Sequence, residues 1–218
     1  MFNMMEESDK DPSLRDRMAD PYSLYPEGLA PGEDGPDQTG AVFDKDFAQW
    51  TSPFIMAAIN TRVVRRSNAL LGLPWGADFR YDEAILNSSR TQATMVGLAS
   101  GFGMLIMALK PTRKVAQKLL PKPGEGPSRE TRENGYYEIY FHGVHPEDRN
   151  RDMRIKVSGT LDPGYGSTSR MLAEAAVSLA KDSSTTGGGF WTPASALGQP
   201  YLDRLQNKAG LSFEQVDF

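Results

Sequence analysis

The pattern of apolar and polar positions changes near residue 41, where an arm rich in turn-forming residues is followed by a globular pattern. Residues 1–40 hold five prolines beside four glycines and lack a long apolar run. Proline removes a backbone donor and restricts the residue before it, so this composition is typical of an extended or disordered arm or linker. We predict two parts, an arm over residues 1–40 and a folded domain over residues 41–218.

The first part of the folded domain predicts a helix and then a strand. In NTRVVRRSNALLG, apolar positions recur near helical spacing, Asn60 or Thr61 can cap the start, and Gly72 ends the helix. The next stretch, ADFRYDEAIL over residues 77–86, predicts a strand.

The second half predicts a hairpin, two helices and a last strand. YYEIYFHGV and MRIKVSG alternate with period two around a polar loop, which predicts paired strands. DPGYGSTSRMLAEAAVSLAKD predicts a helix, TPASALGQPYLDRLQNKAG a shorter helix ending at Gly210, and LSFEQVDF a strand. The apolar stripe expected on the first of these helices is Met171, Leu172, Ala175, Ala176 and Leu179. This order indicates an α+β fold with a mixed, largely antiparallel sheet and packed helices.

One uncharged run of 17 residues, from Ala93 to Leu109, admits three interpretations. It can be a buried core or dimer-interface helix, an interfacial helix on a membrane, or a transmembrane span. The run contains three glycines, and a span needs about 20 residues, which disfavours the third interpretation. Basic residues follow it, which favours a membrane or lipid-droplet surface through residues 93–122 as the rival of the buried helix: Lys110, Arg113, Lys114, Lys118 and Lys122.

Composition excludes several classes of protein. The 24 Lys and Arg residues are outnumbered by 28 Asp and Glu residues, so a nucleic-acid partner is not expected. The absence of cysteine excludes disulfides, thiolate metal sites and cysteine nucleophiles. The mean hydropathy of −0.47 excludes a protein with many membrane spans. The start of the chain resembles neither a secretory signal peptide nor a transit peptide, so we expect an intracellular protein.

Two clusters of polar residues could take part in binding, but neither pattern is specific for one function. His142 and His145 stand at a strand end, where we expect solvent-exposed side chains and no metal site. Arg62, Arg65 and Arg66 can bind a carboxylate or phosphate, or they can form ion pairs with acids such as Asp78, Asp82 or Glu83.

The stretch from Gly164 to Ser169 joins a strand to a helix and is the strongest local signal. Its free amides and glycines can bind an anion. The alternative is an ordinary helix cap by Ser167 or Thr168. The third glycine of a dinucleotide fingerprint is missing, so the cofactor-binding residues stay unknown.

Five stretches, in this order, resemble the saccharopine dehydrogenase-like oxidoreductase family: SPFIMAAINTRVVRRSNALLG, FRYDEAIL, LLPKPGEGPS, DPGYGSTSRMLAEAAVSLA and GGFWTPASALG. That family includes mycobacterial trans-acting enoyl reductases and animal lipid-droplet-associated homologues. The resemblance covers most of residues 20–216 and concerns the family's C-terminal half, without the N-terminal Rossmann domain. It implies a substrate and dimerisation domain, with NAD(P) bound by the other half of an intact member.

From this resemblance we expect the C-terminal domain of an NAD(P)-dependent reductase that acts on a lipid-like acyl substrate. We expect a homodimer, and a chain that is not catalytic by itself. The alternative is a non-catalytic module at a membrane surface or in a dimer. Tyr165 is the candidate proton donor, because a phenolate beside a helix N-terminus is stabilised. The candidate substrate-binding residues are Asn60, Arg62, Arg65, Gly164, Gly166, Thr168, Trp191 and Thr192.

Overall fold

The computed structural model describes residues 7, 10, 11, 13–119, 124–182 and 186–217. The chain divides into two compact units, Met1–Leu120 and Pro121–Phe218. The described residues form seven α-helices and two small antiparallel sheets, which confirms the α+β class. Of the stretch LLPKPGEGPS, residues 120–123 lie outside the described residues.

The first unit combines a three-stranded sheet with helices. Its elements are, in chain order, α1 (Ser13–Ala19), β1 (Val42–Asp44), β2 (Gln49–Pro53), α2 (Ala57–Leu70), β3 (Ala84–Asn87), α3 (Arg90–Ala108) and α4 (Lys110–Leu119). The strand order is β1-β2-β3, with Val42 opposite Thr51 and Trp50 opposite Asn87. The helix α3 packs on this sheet, mainly on β2.

The prediction of a strand over residues 77–86 is wrong for most of its length, because β3 begins at Ala84. Side chains occupy the backbone groups that a strand would use for pairing. The Tyr81 amide donates to Asp34 over 3.0 Å, and the Tyr81 carbonyl accepts from Arg65 over 2.8 Å.

The predicted start of α2 is also wrong, whereas its end is confirmed. The helix begins at Ala57 and has no side-chain cap, so Asn60 and Thr61 lie inside it. The Thr61 hydroxyl donates to the Ala57 carbonyl over 2.7 Å, which is the back-bonding typical of threonine within a helix. Gly72 follows the last turn with a φ of 84°, in the left-handed region that favours glycine.

Helix α3 confirms the predicted helix over the uncharged run, but the interpretation as a buried core helix is wrong within the described chain. Ser89 caps its start by accepting the Gln92 amide. Ala93 is the one fully buried residue of α3. A Cβ at Gly97 would lie 3.4 Å from Pro53 Cδ, whereas one at Gly101 would meet nothing within 4 Å. The small residues therefore bring α3 close to the sheet, and its other faces stay exposed.

The second unit also combines helices with a three-stranded sheet. Its elements are α5 (Arg129–Asn134), β4 (Tyr137–Gly143), a 3₁₀ turn (Arg149–Arg151), β5 (Met153–Gly159), α6 (Gly166–Lys181), α7 (Pro193–Asn207) and β6 (Leu211–Val216). The antiparallel order β4-β5-β6 confirms the predicted hairpin and the last strand. The core is formed by Val157, Ala209 and Leu211, against which Ile155, Met171, Leu205 and Phe213 pack.

The apolar stripe predicted on α6 is only partly buried. Met171 packs on the core, but Leu172 and Leu179 are 70% and 64% exposed. Polar contacts position this helix instead. Ser167 shares a hydrogen bond with the Tyr137 hydroxyl, and Tyr201 of α7 donates to the Met171 carbonyl.

Candidate functional site

An apolar groove of about 450 Å³ lies between α3 and the end of the arm. Its lining residues are Thr39, Gly40, Ala41, Thr94, Gly97, Leu98, Gly101, Phe102 and Leu105. The two glycines leave the helix backbone open on one side, and the three large apolar side chains provide the wall. A groove of this size and character suits a small apolar ligand.

The arm side of the groove is held in place by hydrogen bonds to the sheet. The Gln38 side-chain amide donates to the Gly40 carbonyl over 2.6 Å. The same side chain lies 3.2 Å from the Thr51 hydroxyl on β2. The groove wall at Thr39–Ala41 is therefore fixed to the same sheet on which α3 packs.

The arm is further held by two arginines of α2. Arg62 binds Asp37 through Nη1 at 2.5 and 2.7 Å, and Arg65 binds Asp34 through Nε at 2.5 Å. Both arginines are 3% exposed. Asp37 lies two residues before Thr39, so the Arg62–Asp37 pair sets where the arm reaches the groove.

The remaining bonds of Arg65 also bind the arm. Its Nη1 donates to the Pro21 carbonyl over 2.9 Å, and its guanidinium lies 5.4 Å from the centre of the Tyr22 ring. Such cation–π contacts strengthen as the cation is removed from water.

Arg62 and Arg65 therefore form ion pairs, which is the alternative to a ligand site that the sequence offered, but with other acids than those named. Asp34 and Asp37 of the arm, instead of Asp78, Asp82 or Glu83, neutralise Arg62 and Arg65. Asn60 donates to Glu83 over 2.9 Å. These three predicted substrate-binding residues lie on one helix, and their described bonds are to the protein itself. Their role in substrate binding stays a prediction.

The pKa values of two groups near α2 are raised, mainly by burial. Burial raises the pKa of the Asp82 carboxyl, and the neighbouring Asp34 and Asp44 carboxylates raise it further. Burial also raises the pKa of the Tyr81 phenol, with Glu83 adding to the effect.

The basic flank of α3 lies on α4. Lys114 and Lys118 are exposed, whereas Arg113 is buried and donates to the Ala108 carbonyl over 3.2 Å. Arg113 therefore satisfies a free carbonyl at the end of α3. Lys122 lies outside the described residues.

In the second unit, the turn at Gly164–Ser169 is closed by a residue that the sequence analysis missed. The Asp162 carboxylate accepts the amides of Gly164, Tyr165 and Gly166 at 3.0, 3.0 and 2.6 Å. These bonds, the one from Gly166 above all, lower the pKa of Asp162. Asp162 thus closes the turn at the start of α6, whose N-cap position is Tyr165 without a side-chain hydrogen bond, and neither Ser167 nor Thr168 caps the helix.

This cap changes what the turn can bind. The amides of Gly164, Tyr165 and Gly166 already donate to Asp162, so they are not available to a phosphate. The Asp162 carboxylate would also repel the negative charge of a phosphate at this position. A Cβ at Gly166 would lie 2.8 Å from the Arg132 carbonyl, so glycine is needed here for close packing. The turn therefore does not fit the pyrophosphate of a nicotinamide cofactor.

The other predicted site residues of the second unit differ in exposure and in their hydrogen bonds. Tyr165 is 55% exposed, and the Thr168 hydroxyl donates to the Pro163 carbonyl over 2.6 Å. Thr192 caps α7 in a reciprocal pair with Ser195. The Trp191 indole N–H donates to the Gly187 carbonyl over 2.9 Å.

The expectation of exposed histidines is wrong for His142. Its side chain is 5% exposed and its Nε2 lies 3.2 Å from Asp152 Oδ2. The His145 amide donates to the same carboxylate over 2.7 Å and lowers its pKa, and Arg149 also binds it. The cluster closes the β4–β5 hairpin. In the described ranges, no group of three or more His, Asp or Glu side chains could hold a metal ion.

The similar proteins found by comparison with known proteins carry the same kind of name. A Mycobacterium tuberculosis protein named as a trans-acting enoyl reductase is 36% identical over 230 residues, 98% of this chain and 54% of that protein. Trans-acting enoyl reductases of Mycobacterium bovis and Mycobacterium leprae are each 33% identical, over 92% and 89% of the chain and about half of their own length. No family profile matches the chain, and no solved structure does.

These similarities support the trans-acting enoyl reductases as relatives of this chain, along almost its whole length. The chain spans about half the length of the curated relatives that it matches.

Proposed function

We propose that this chain is a substrate-binding part of an enoyl reductase and that the groove along α3 holds the acyl chain of a lipid-like substrate. The observation that carries the proposal is the glycine-floored apolar groove of about 450 Å³. The enoyl reductase names of the relatives supply the substrate class, since an enoyl group is an unsaturated acyl group.

The proposal includes a division of labour within such a reductase. The capped turn at Asp162 does not fit a cofactor pyrophosphate, and we assign no cofactor-binding residue in the described ranges. We infer that this chain corresponds to the C-terminal half of a saccharopine dehydrogenase-like reductase, with NAD(P) bound by the other half. Tyr165 stays the candidate proton donor, and the residue is 55% exposed.

Two glycines of α3 provide a matched test of the groove. Gly101 lines the groove and Gly103 does not, yet an added Cβ meets nothing within 4 Å at either position. Gly101→Leu and Gly103→Leu should both preserve the helix, because leucine favours a helix by up to about 1 kcal/mol over glycine. Only Gly101→Leu fills the groove.

The measurement is a titration of the 218-residue chain with a long-chain trans-2-enoyl thioester, followed by tryptophan fluorescence. A leucine that displaces two or three methylenes, at about 0.8 kcal/mol each, should weaken binding roughly 15- to 50-fold. Gly103→Leu should bind like the wild type. Equal losses in both variants, or no binding by the wild type, would contradict the proposal.

A second titration tests the cofactor inference. NADPH should give no saturable change in the fluorescence of Trp50, Trp75 and Trp191. Saturable binding of NADPH would contradict our inference that NAD(P) is bound by the other half.

A further inference from the structure

The exposed faces of α3 form an apolar surface of unusual extent. Met95, Leu98 and Phe102 are 66%, 68% and 64% exposed, and Met104 and Leu105 are more than half exposed. In the most apolar stretch of 18 residues in α3, only 6% of the residues are buried. Soluble monomers rarely expose large contiguous apolar patches, and such patches mark interaction surfaces.

The charge around this surface indicates what covers it. Residues 84–124 contain six basic residues and no acidic residue, although the whole chain has a net charge of −4. The rest of the chain is therefore strongly acidic. An anionic lipid surface would attract the α3–α4 segment and repel the rest of the protein.

We propose that α3 and α4 attach the first unit to an anionic lipid surface, with α3 lying in the plane of the interface. The apolar side chains of α3 enter the boundary of the acyl chains, and the lysines of α4 lie among the headgroups. This is the arrangement of amphipathic and basic segments on membranes. The inference shares Leu98, Phe102 and Leu105 with the groove, but it requires neither an acyl substrate nor a reductase.

The packing of α3 favours an in-plane orientation over a crossing one. Among the described residues, α3 alone is long and apolar enough to cross a membrane. Its first half, however, packs on the sheet through Ala93 and Gly97, and Arg90 lies 5.4 Å from the centre of the Trp50 ring. A crossing helix would draw polar parts of the sheet into the bilayer, which is costly. An in-plane helix leaves the sheet in water.

The cations that contact lipid can be named. Arg113 is buried and occupied by the Ala108 carbonyl, so it is not one of them. Lys114 and Lys118 are exposed, and the basic residues on α4 have no acidic neighbour in sequence. Each lysine near an anionic surface strengthens binding about five-fold.

The test is flotation of the 218-residue chain with vesicles of phosphatidylcholine alone and of phosphatidylcholine mixed with phosphatidylglycerol. The protein should float with the anionic vesicles only, and less at high salt, which screens charges. Lys114→Glu/Lys118→Glu should weaken binding about 25-fold or more. Lys45→Glu/Lys208→Glu makes the same change in net charge at exposed positions outside α3 and α4 and should bind like the wild type.

Other outcomes would overturn the proposal. Equal binding of the protein to neutral and anionic vesicles would show that the lysines do not contribute to binding. If the protein floated with neither kind of vesicle, the surface would not bind a membrane. Protein that resists alkaline carbonate extraction would indicate a crossing helix instead. A stable dimer in solution that Phe102→Asp converts to a monomer would assign the surface to a second copy of this chain.

The vesicle experiment and the thioester experiment can be distinguished, because different variants are expected to affect each of them. Lys114→Glu/Lys118→Glu leaves the groove residues intact and should preserve thioester binding. Gly101→Leu adds apolar surface and should preserve vesicle binding.

Discussion

Helices α2 and α3 of the first unit oppose each other in composition and in burial. α2 carries three arginines, and two of them are almost fully buried. α3 has no charged residue after Arg90, and most of its side chains are exposed. A partition by hydrophobicity alone would place α3 inside and α2 outside.

The difference between the two helices shows that burial depends on the available partners. The arm supplies Asp34 and Asp37 to Arg62 and Arg65, and two buried charges with good hydrogen bonds are tolerated in an interior. The sheet is narrow and covers only one stripe of α3. The predictions below break or sharpen this contrast, in order of decreasing effect.

The largest effect is expected from removing a buried charge of α2. Arg65→Met leaves Asp34 without its cation and leaves the Pro21 and Tyr81 carbonyls without a donor. Breaking a buried ion pair costs about 3–5 kcal/mol in the free energy of unfolding. The control is Arg66→Met, whose exposed bond to the Leu24 carbonyl should contribute less than about 1 kcal/mol. Equal losses in urea unfolding of the two variants would contradict the central role of Arg65.

A smaller effect is expected where α3 touches the sheet. Gly97→Leu would push its side chain against Pro53, and overpacking costs about 1–3 kcal/mol. Gly101→Leu, one turn later in open space, should be neutral or stabilising. If urea unfolding shows the same loss for both, the close contact of α3 is not confined to its inner stripe.

Polar substitutions on the exposed face of α3 should hardly change folding. Met95→Gln and Met104→Gln keep the side-chain length and helix propensity at positions outside the groove. The free energy of unfolding should change by less than about 0.5 kcal/mol in each variant. A larger loss in chemical unfolding would mean that the folded chain itself covers this face.

The last prediction concerns how the stability of the second unit changes with pH in the acid range. Hydrogen bonds from Arg204 and Ser178 lower the pKa of Asp182 to about 2. A lowered pKa stabilises the fold above the unfolded value of about 4, and this contribution is lost as the pH falls through about 2. Circular dichroism between pH 4 and 2 should show a shallower loss of stability in Asp182→Asn. Ser178→Ala should move the loss to higher pH, and an unchanged profile in both variants would argue against this ion pair.

Local patterns predicted the elements whose partners are near in sequence. The β4–β5 hairpin follows from period-two alternation, and the helices α3 and α6 follow from long stretches of apolar and helix-forming residues. Residues 77–83 failed because their backbone binds Asp34 and Arg65, and Asp34 lies 47 residues from Tyr81. A hydrogen bond between residues so far apart in the chain cannot be predicted from the local pattern of apolar and polar positions.

The candidate site was harder to predict than the fold. The glycines of α3 were noticed as small residues, but the groove also needs Thr39–Ala41 from an arm that composition alone describes as extended or disordered. The acids GEDGPD give the one usable signal, since carboxylates between turn residues are available to pair with arginines. Likewise, Asp162 precedes the turn and is a common capping residue, so it could have been named.

The sequence by itself determined the α+β class, the hairpin, the main helices and the concentration of positive charge in an otherwise acidic chain. Only the tertiary structure decided that arginines are buried, that the apolar helix is exposed and that a groove forms between α3 and the arm. The physical reason is that propensity and periodicity act over a few residues, whereas ion pairs and burial depend on residues brought together from distant parts of the chain.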